Sequence, residues 1–396
     1  MCNNLFLRTA TWLIPALYAT IGILSAIIVG FVMYQYLYKN DIFNLRRRAR
    51  HRVSNPMSTM EENIPLRRVE HNIPPSTSGK NWKQILDKIS LKDLTEENLL
   101  SRIPYPIHEL EIEQTRVVIK RFPEKSRQAY MEEMSIVKKL AYAPDSIHRF
   151  ITNYERSLEG PKEYWIVREY CVQANLNKYL REHTLGPKDL VRMAHSISVG
   201  LNCLHDSRSR SAIAHRDLNP GNVLVRRDLT CALTHFDMAV TSSQNLSDHE
   251  DMGTPGYVAP EFLHRHFQPH GERPSLPFNS YLKGDVFSFS IILWQMMNRT
   301  KFGDEDASPH RPPYDEMTEE LYYESHLLIF KDRIFRSGKR PALKQQWAQD
   351  PIGSKMQELM VAAWAPDPDE RPSSSSLEHE LSSLLYSIEK SAGTTC

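Results

Sequence analysis

The chain has 396 residues, of which 41% are hydrophobic and 24% are charged, and its formal net charge is +1 at pH 7. That hydrophobic content is enough for a substantial core, and a charge so close to zero gives no reason to expect a nucleic-acid partner. The five cysteines lie far apart without a CxxC pair. They therefore indicate free thiols in a reducing compartment rather than a zinc site or a disulfide framework.

An uncharged apolar segment occupies residues 13–38. At about 1.5 Å per residue it is long enough to cross a hydrocarbon layer of about 30 Å. Six Lys and Arg side chains follow within residues 39–52, whereas only Arg8 precedes the segment. The positive-inside rule predicts a single-pass membrane protein with residues 1–12 outside and the long C-terminal part in the cytosol. A cleaved signal peptide is the alternative, but its positive flank would come first.

Composition also indicates the domain limits. Residues 1–12 are too few to fold into an extracellular domain. Residues 39–79 are rich in Ser, Pro and Arg, which predicts a basic, disordered juxtamembrane linker that can contact anionic lipid. From residue 80 the apolar pattern is that of a globular domain. We predict this domain over residues 80–388, with its first lobe ending at about residue 170, and a short tail over 389–396.

Within the domain, the apolar periodicity predicts strands first and mostly helices afterwards. Strands are predicted over residues 115–122 and 163–171, and helices over residues 126–140, 190–206 and 281–298. The last helix is strongly apolar, but Lys283 and Asp285 near its start argue against a second membrane span. The order of the elements predicts the α+β class, with a two-lobed fold preceded by one transmembrane helix.

The string HRDLNPGNVLV, residues 215–225, is the most specific motif in the chain. Phosphoryl transfer needs a carboxylate that orients the attacking hydroxyl and a nearby amide that helps to hold metal. Asp217 and Asn222, five positions apart, meet that demand, so Asp217 is the predicted catalytic residue. A chance occurrence of the string in an unrelated fold is the alternative, and the motifs downstream argue against it.

Further motifs lie on both sides of this string. Glu261 ends the string GTPGYVAPE and Arg371 lies in DERPS, and we predict a buried ion pair between them that serves the structure. Upstream, Lys120 in VVIK and Glu133 in MEEMSIV are typical of a strand lysine and a helix glutamate that pair beside a nucleotide. Either residue alone is weak evidence, because exposed Lys and Glu are common. Their order relative to residues 215–225 supports the prediction.

From about residue 90 to 385 the chain resembles a protein kinase domain. Within that superfamily it resembles the type II receptors for activin, bone morphogenetic protein and TGF-β ligands. The resemblance rests on the strings VVIKRFPEKSRQAYMEEMSIV, AIAHRDLNPGNVLVRRDLTCALTHFDMAV and SGKRPALKQQWAQDPIGSKMQELMVAAWAPDPDERPS. No Ser-Gly-rich repeat lies between residue 38 and the kinase-like region, which favours type II over type I receptors.

The resemblance implies ATP and Mg²⁺ as cofactors if the protein is active. It implies type I receptor-like kinases, or other TGF-β-family signalling proteins, as partners. Lys120, Glu133 and Asn222 are then nucleotide-binding residues. The residues of the structural kinase motifs are His215, Arg216, Glu261, Asp285 and Arg371, with Asp285 anchoring the catalytic-loop backbone. The family's cysteine-rich ligand-binding module is missing from this sequence, which argues against direct growth-factor binding.

The metal-binding motif of that family is altered. The tripeptide His235-Phe236-Asp237 stands where Asp-Phe-Gly is expected, and His235 follows Asn222 by the usual thirteen positions. Imidazole is a borderline ligand, whereas Mg²⁺ prefers hard oxygen donors, so no metal ligand is predicted here. The alternative is that Asp237 reaches a metal through a rearranged turn.

The nucleotide pocket departs from the family as well. No glycine occurs between Gly79 and Gly160, so the glycine-rich loop that covers the phosphates is predicted to be absent. By resemblance, Val118 replaces a small alanine, and Arg168 falls at the gatekeeper position. A buried guanidinium needs a partner. Glu133 is one candidate partner, which would take it away from Lys120; an exposed Arg168 is the alternative if the strand register is shifted by one residue.

Three functional hypotheses follow. The first is a membrane-anchored receptor serine/threonine-kinase-like protein with impaired catalysis, a pseudokinase that acts as a signalling scaffold or modulator. The second is a low-activity kinase that phosphorylates Ser or Thr on a type I receptor-like partner. The third is a truncated product or incomplete gene model of a ligand-binding receptor kinase.

Overall fold

The structure, a computed structural model, describes residues 80–393 except for 102–103, 141, 158–159, 209–210, 245–252, 267, 269–275, 304–305, 316–333 and 335–336. The predicted N-terminal segment 1–12, membrane span 13–38 and linker 39–79 lie outside the described residues. Within the described part of the chain, no helix combines the length and the hydropathy needed to cross a membrane.

The first lobe is a five-stranded antiparallel sheet covered on both faces. Its strands are β1 (Leu99–Ser101), β2 (Ile107–Ile112), β3 (Thr115–Pro123), β4 (Phe150–Arg156) and β5 (Glu163–Glu169), in the order β1-β2-β3-β5-β4. Because side chains alternate across a strand, Trp165 and Val167 of β5 face one side and Tyr164 and Ile166 face the other. All four are buried. The short helix α1 (Trp82–Leu86) packs on the Trp165 side.

A longer helix, α2 (Arg127–Lys139), covers the opposite face of the sheet. Its buried residues Tyr130, Met134 and Val137 recur every three or four positions, so they form one stripe along the helix. This stripe packs against β3 and β5. Glu133 is also buried in α2. The helix therefore brings a carboxylate into the interior beside the sheet.

The second lobe is mainly helical. Its helices are α3 (Leu176–Glu182), α4 (Pro187–His205), α5 (Pro260–His266), α6 (Phe278–Asn298), α7 (Gln345–Gln349), α8 (Pro351–Ala363) and α9 (Ser374–Gly393). Two short antiparallel strand pairs join β6 (Ile213–Ala214) to β9 (Val240–Thr241) and β7 (Val223–Val225) to β8 (Cys231–Leu233). The two-lobed prediction is confirmed. Helix α9 ends at Gly393, past the predicted domain limit at residue 388 and inside the predicted tail.

The ion pair predicted between Glu261 and Arg371 is present in this lobe. Arg371 is 1% exposed, and its guanidinium donates to both carboxylate oxygens of Glu261 at 2.8 and 2.9 Å. It also donates to the backbone carbonyls of Ala365 and Lys283. A two-point charge pair of this kind has good geometry, but each partner alone would be a buried, uncompensated charge. The pair ties α5 to the segment that precedes α9.

We predict that Glu261→Gln lowers the free energy of unfolding of the full-length chain by about 3 kcal/mol or more, because it leaves the buried Arg371 guanidinium without a counter-charge. Denaturant titration followed by circular dichroism measures this change. Lys355→Gln is the matched control, because Lys355 pairs with Glu358 and Glu380 at the surface. We expect about 1 kcal/mol or less for the control. Equal losses in both variants would contradict the prediction.

Candidate functional site

The predicted catalytic loop is anchored by one buried carboxylate. Asp285, in α6, is 1% exposed and accepts the backbone N–H groups of His215 at 2.7 Å and Arg216 at 2.8 Å. Nε2 of His205 lies 3.0 Å from the same carboxylate. Arg216 has a backbone φ of +65°, a conformation that residues other than glycine rarely adopt. The carboxylate therefore holds the loop in a strained turn, in the anchoring position predicted for Asp285.

Both oxygens of the Asp217 carboxylate are engaged within the chain. Oδ2 accepts the side-chain amide of Asn222 at 3.0 Å, and Oδ1 accepts that of Asn219 at 3.2 Å. Oδ1 also accepts the backbone N–H and the hydroxyl of Thr254, at 2.7 and 2.6 Å. Gly253 makes this approach possible, because a side chain there would clash with a backbone carbonyl of the catalytic loop.

The structure thus brings Asp217 and Asn222 together, as the motif predicts. Sequence reasoning assigned no role to Asn219 or Thr254, although Asn219 lies within the motif. Asn219 also donates to the Thr254 hydroxyl at 3.0 Å, which completes a small polar network around the carboxylate. The catalytic roles of Asp217 and Asn222 stay predictions.

Four charged side chains form a network beside this loop, three of them buried and the fourth, Asp237, half-buried. The Lys120 Nζ atom donates to Glu133 at 2.7 Å and to the carboxylate of Asp237. The Arg168 guanidinium donates to the second oxygen of Glu133 at 3.3 Å. These residues come from β3, α2, β5 and the segment after β8. We call them the charge cluster.

The geometry decides between the alternatives for Glu133 and Arg168. Glu133 pairs with Lys120 as predicted and also with Arg168, because each of its two oxygens serves one cation. The alternative of an exposed Arg168 is wrong, because Arg168 is 5% exposed. Arg168 also donates to the backbone carbonyl of His148 at 3.0 Å and lies over the Phe236 ring, 5.5 Å from its centre. The guanidinium at the gatekeeper position is therefore buried and paired.

Burial and mutual attraction act in opposite directions on the pKa values of the cluster. Burial lowers the pKa of Lys120, but Glu133 and Asp237 outweigh that effect, so its pKa is raised overall. Burial raises the pKa of Glu133, and the nearby Lys120 only partly opposes the rise. Burial also raises the pKa of Asp237, but the charge of Lys120 outweighs this effect and holds the pKa of this carboxyl below its usual range. Lys120 and Asp237 are thus a stable ion pair at neutral pH.

His235, at the expected metal-ligand position, is a neutral imidazole. Burial, followed by the charge of Lys120, lowers the pKa of His235 to about 3. Its φ is +63°, and its Nδ1 atom is buried with no hydrogen-bond partner among the described residues. Asp237, two residues later, contacts Lys120.

A tyrosine occupies the connection in which a kinase would carry its phosphate-covering glycine loop. Tyr105, in the connection between β1 and β2, is 6% exposed. Its ring centre lies 4.4 Å from that of Phe122 and 5.6 Å from Lys120 Nζ. Sequence reasoning noted that this connection has no glycine but missed the contact of Tyr105 with Lys120. The proline on each side of Tyr105 was the available signal, because proline stiffens a short connection.

In this arrangement the residues do not fit a magnesium–triphosphate complex. The lysine that would hold the phosphates is bonded to two carboxylates, and an aromatic ring packs against it. The expected metal position offers an imidazole nitrogen, whereas Mg²⁺ takes oxygen ligands in octahedral geometry. Among the predicted nucleotide-side residues, Asn222 offers an amide oxygen, and Asp237 offers a carboxylate that Lys120 already neutralises.

Residues 110–381 match the protein kinase domain. The TGF-beta receptor type-2 of Gallus gallus is 27% identical over 291 residues, which cover 71% of this chain and 50% of that receptor. The activin receptor type-1-like protein of Mus musculus is 30% identical over 285 residues, or 69% of this chain and 54% of that protein. The chain thus spans about half the length of the curated relatives it matches.

We expect Lys120→Met to lower the free energy of unfolding of the full-length chain by about 3 kcal/mol or more, because it leaves two buried carboxylates sharing the single cation Arg168. The exposed residue Lys125 lies in the turn that follows β3, so Lys125→Met is the matched control. The control should change stability by no more than about 0.5 kcal/mol. Chemical denaturation measures both. A Lys120→Met chain as stable as the control would show that the charge cluster does not support the fold.

Proposed function

Because the chain belongs to the protein kinase family, we propose that it is a receptor-type serine/threonine-kinase-like protein with impaired phosphoryl transfer that acts as a signalling scaffold. The similarity to TGF-beta and activin receptors supports the receptor class. One observation carries the loss of catalysis: Lys120, whose pairing with Glu133 is normal for a kinase, is also bonded to Asp237.

A nucleotide would have to compete with the protein's own carboxylates. The phosphates of ATP need the ammonium of Lys120, and Asp237 would then have to give up its counter-charge in a buried position. Separating a buried ion pair is costly, because the group left behind keeps no compensating charge. Tyr105 would also have to move from its packing on Phe122. The closed arrangement therefore disfavours nucleotide binding before any metal is considered.

Metal binding adds a second obstacle. Metal ions and loop contacts supply much of the charge stabilisation in phosphoryl transfer. Here a neutral His235 replaces the metal-binding carboxylate. Loss of one strong electrostatic contributor typically lowers the rate by about 10²–10³. The combined loss of metal ligand and phosphate loop leaves little activity.

A scaffold role fits the same contacts. Lys120, Glu133 and Asp237 join β3, α2 and the segment after β8 directly. In a kinase, a nucleotide and its metal help to hold such elements together. In this chain the charge cluster does so by itself, so the surface offered to a partner does not depend on ATP. The partner class that the resemblance favours is a type I receptor-like kinase.

Membrane anchoring is part of the proposal and rests on the sequence alone. The uncharged segment 13–38 and the basic residues after it support a single span with the kinase-like domain in the cytosol.

The second candidate is a low-activity Ser/Thr kinase, which the ordered catalytic loop favours. Asp217 and Asn222 keep a mutual hydrogen bond of 3.0 Å, and Asp285 holds the loop. A radiometric transfer assay with [γ-³²P]ATP distinguishes the two candidates. Incorporation by the wild-type chain that Asp217→Asn abolishes would favour the kinase, whereas incorporation at the level of that variant favours the scaffold.

We predict that the wild-type full-length chain binds Mg²⁺–ATP with a Kd above about 1 mM, a binding free energy weaker than about −4 kcal/mol. The reason is that Asp237 occupies the Lys120 ammonium, in addition to the Glu133 carboxylate that pairs with this lysine in any kinase. Isothermal titration calorimetry with and without Mg²⁺ measures this affinity. A Kd of micromolar order would overturn the proposed closure of the site.

We expect Asp237→Asn combined with Tyr105→Ala to strengthen ATP binding by at least about tenfold, or 1.4 kcal/mol, because the two changes release Lys120. The same calorimetric titration measures it. Asp306→Asn is the matched control, since Asp306 pairs with Lys301 in an exposed position. An affinity of the double variant no higher than that of the control would show that the contacts of Lys120 do not close the site.

A further inference from the structure

A cavity of about 380 Å³ lies behind α2, away from the catalytic loop. It is bounded by the C-terminal half of α2, the segment that leads to β4, and Arg168 of β5. Its size is within the range of about 300–1,000 Å³ that is usual for small-molecule sites. Neither Lys120 nor Asp217 is among the described residues that line it. We call it the rear cavity.

The lining of the rear cavity combines apolar and polar surface. Val137, Leu140, Ile147 and Phe150 supply apolar surface. Two guanidinium groups, those of Arg149 and Arg168, also line it. Such a lining suits a ligand with an apolar part and a charged group, because the apolar side chains supply burial and the polar groups set orientation.

The two guanidinium groups differ in how they are held. Arg168 is 5% exposed and shares the Glu133 carboxylate with Lys120. Its hydrogen bond to Glu133 is the longer of the two, at 3.3 Å against 2.7 Å for Lys120. Arg149 pairs with Asp145 at 2.5 Å, and the Asp145 side chain is 76% exposed. A pair so close to solvent is weak, so a ligand carboxylate can replace Asp145.

The histidine of the cavity, His148, carries no charge. Burial, followed by the charge of Arg168, lowers the pKa of His148 well below its usual value. Both ring nitrogens are also occupied, one by the Thr234 hydroxyl and the other by the Glu169 carbonyl, each at 2.8 Å. Asp145 is the one acid among the described lining residues. The cationic character of the cavity therefore comes from the two arginines.

We propose that the rear cavity binds a small organic carboxylate with an apolar body. The carboxylate contacts the guanidinium groups of Arg149 and Arg168, for which two-point hydrogen bonding is favourable. The apolar body packs against Val137, Leu140 and Phe150. Arg168 also bonds to one oxygen of Glu133, and Lys120 bonds to the other. The ligand therefore contacts the charge cluster through Arg168, at the end of the network opposite to Lys120.

The test is a calorimetric titration of the full-length chain, reconstituted in lipid nanodiscs, with 4-phenylbutyrate. Titration of empty nanodiscs corrects for lipid partitioning. The uncharged amide 4-phenylbutyramide has nearly the same shape and is the matched ligand control. We expect the carboxylate to bind at least about tenfold more tightly than the amide. Equal affinity of the two ligands, or no detectable binding of either, would overturn the proposal.

Three variants test whether the ligand binds in the rear cavity. Arg149→Gln removes a rim cation with little disturbance and should weaken binding of 4-phenylbutyrate about tenfold. Ala143→Phe fills the cavity and should abolish binding, with its thermal unfolding followed in parallel. Lys139→Gln, an exposed change at the end of the same helix, should leave the affinity unchanged. An Arg149→Gln chain that binds like Lys139→Gln would show that the ligand binds elsewhere.

Discussion

The contact on which the nucleotide side of this protein depends is the one between the Lys120 ammonium and the carboxylates of Glu133 and Asp237. The lysine comes from the sheet, one carboxylate from the helix α2 and the other from the segment after β8. Buried charges are tolerated only when they are paired and hydrogen-bonded, so these elements must stay together for any of the three to remain in the interior. In the proposed function, the contact with Asp237 is what closes the lysine to an incoming phosphate.

The catalytic-loop side and the nucleotide side of the kinase-like site therefore differ in their interactions. On the catalytic-loop side, Asp285 holds the strained backbone and Asp217 is surrounded by Asn219, Asn222 and Thr254. On the nucleotide side, Lys120 contacts Asp237, and the Tyr105 ring lies beside it. A fold can keep the first arrangement for its own stability, because the loop carboxylates satisfy buried backbone and side-chain donors. An ordered loop is thus weaker evidence for catalysis than an accessible lysine and an oxygen-rich metal site.

The motifs predicted the contacts in which a residue has a partner of matching charge or hydrogen-bonding type. Glu261 and Arg371 pair as predicted, and Asp285 accepts the loop backbone as predicted. Glu133 pairs with Lys120 as predicted and with Arg168 as well, because a carboxylate has two oxygens and the packing of α2 offers one to each cation. The contacts of Tyr105 and Thr254 were missed, since both residues come from connections whose paths no periodic pattern specifies.

The amino-acid sequence by itself determined the class of the fold, the order of its strands and helices, and the identities that break the metal and phosphate-loop motifs. These depend on periodicity, spacing and residue chemistry, which are local properties of a chain. Only the tertiary structure decided where Asp237 and Arg168 direct their charges. Their partners lie far away in sequence. Which carboxylate pairs with which cation depends on small differences in distance and on which groups burial has removed from water.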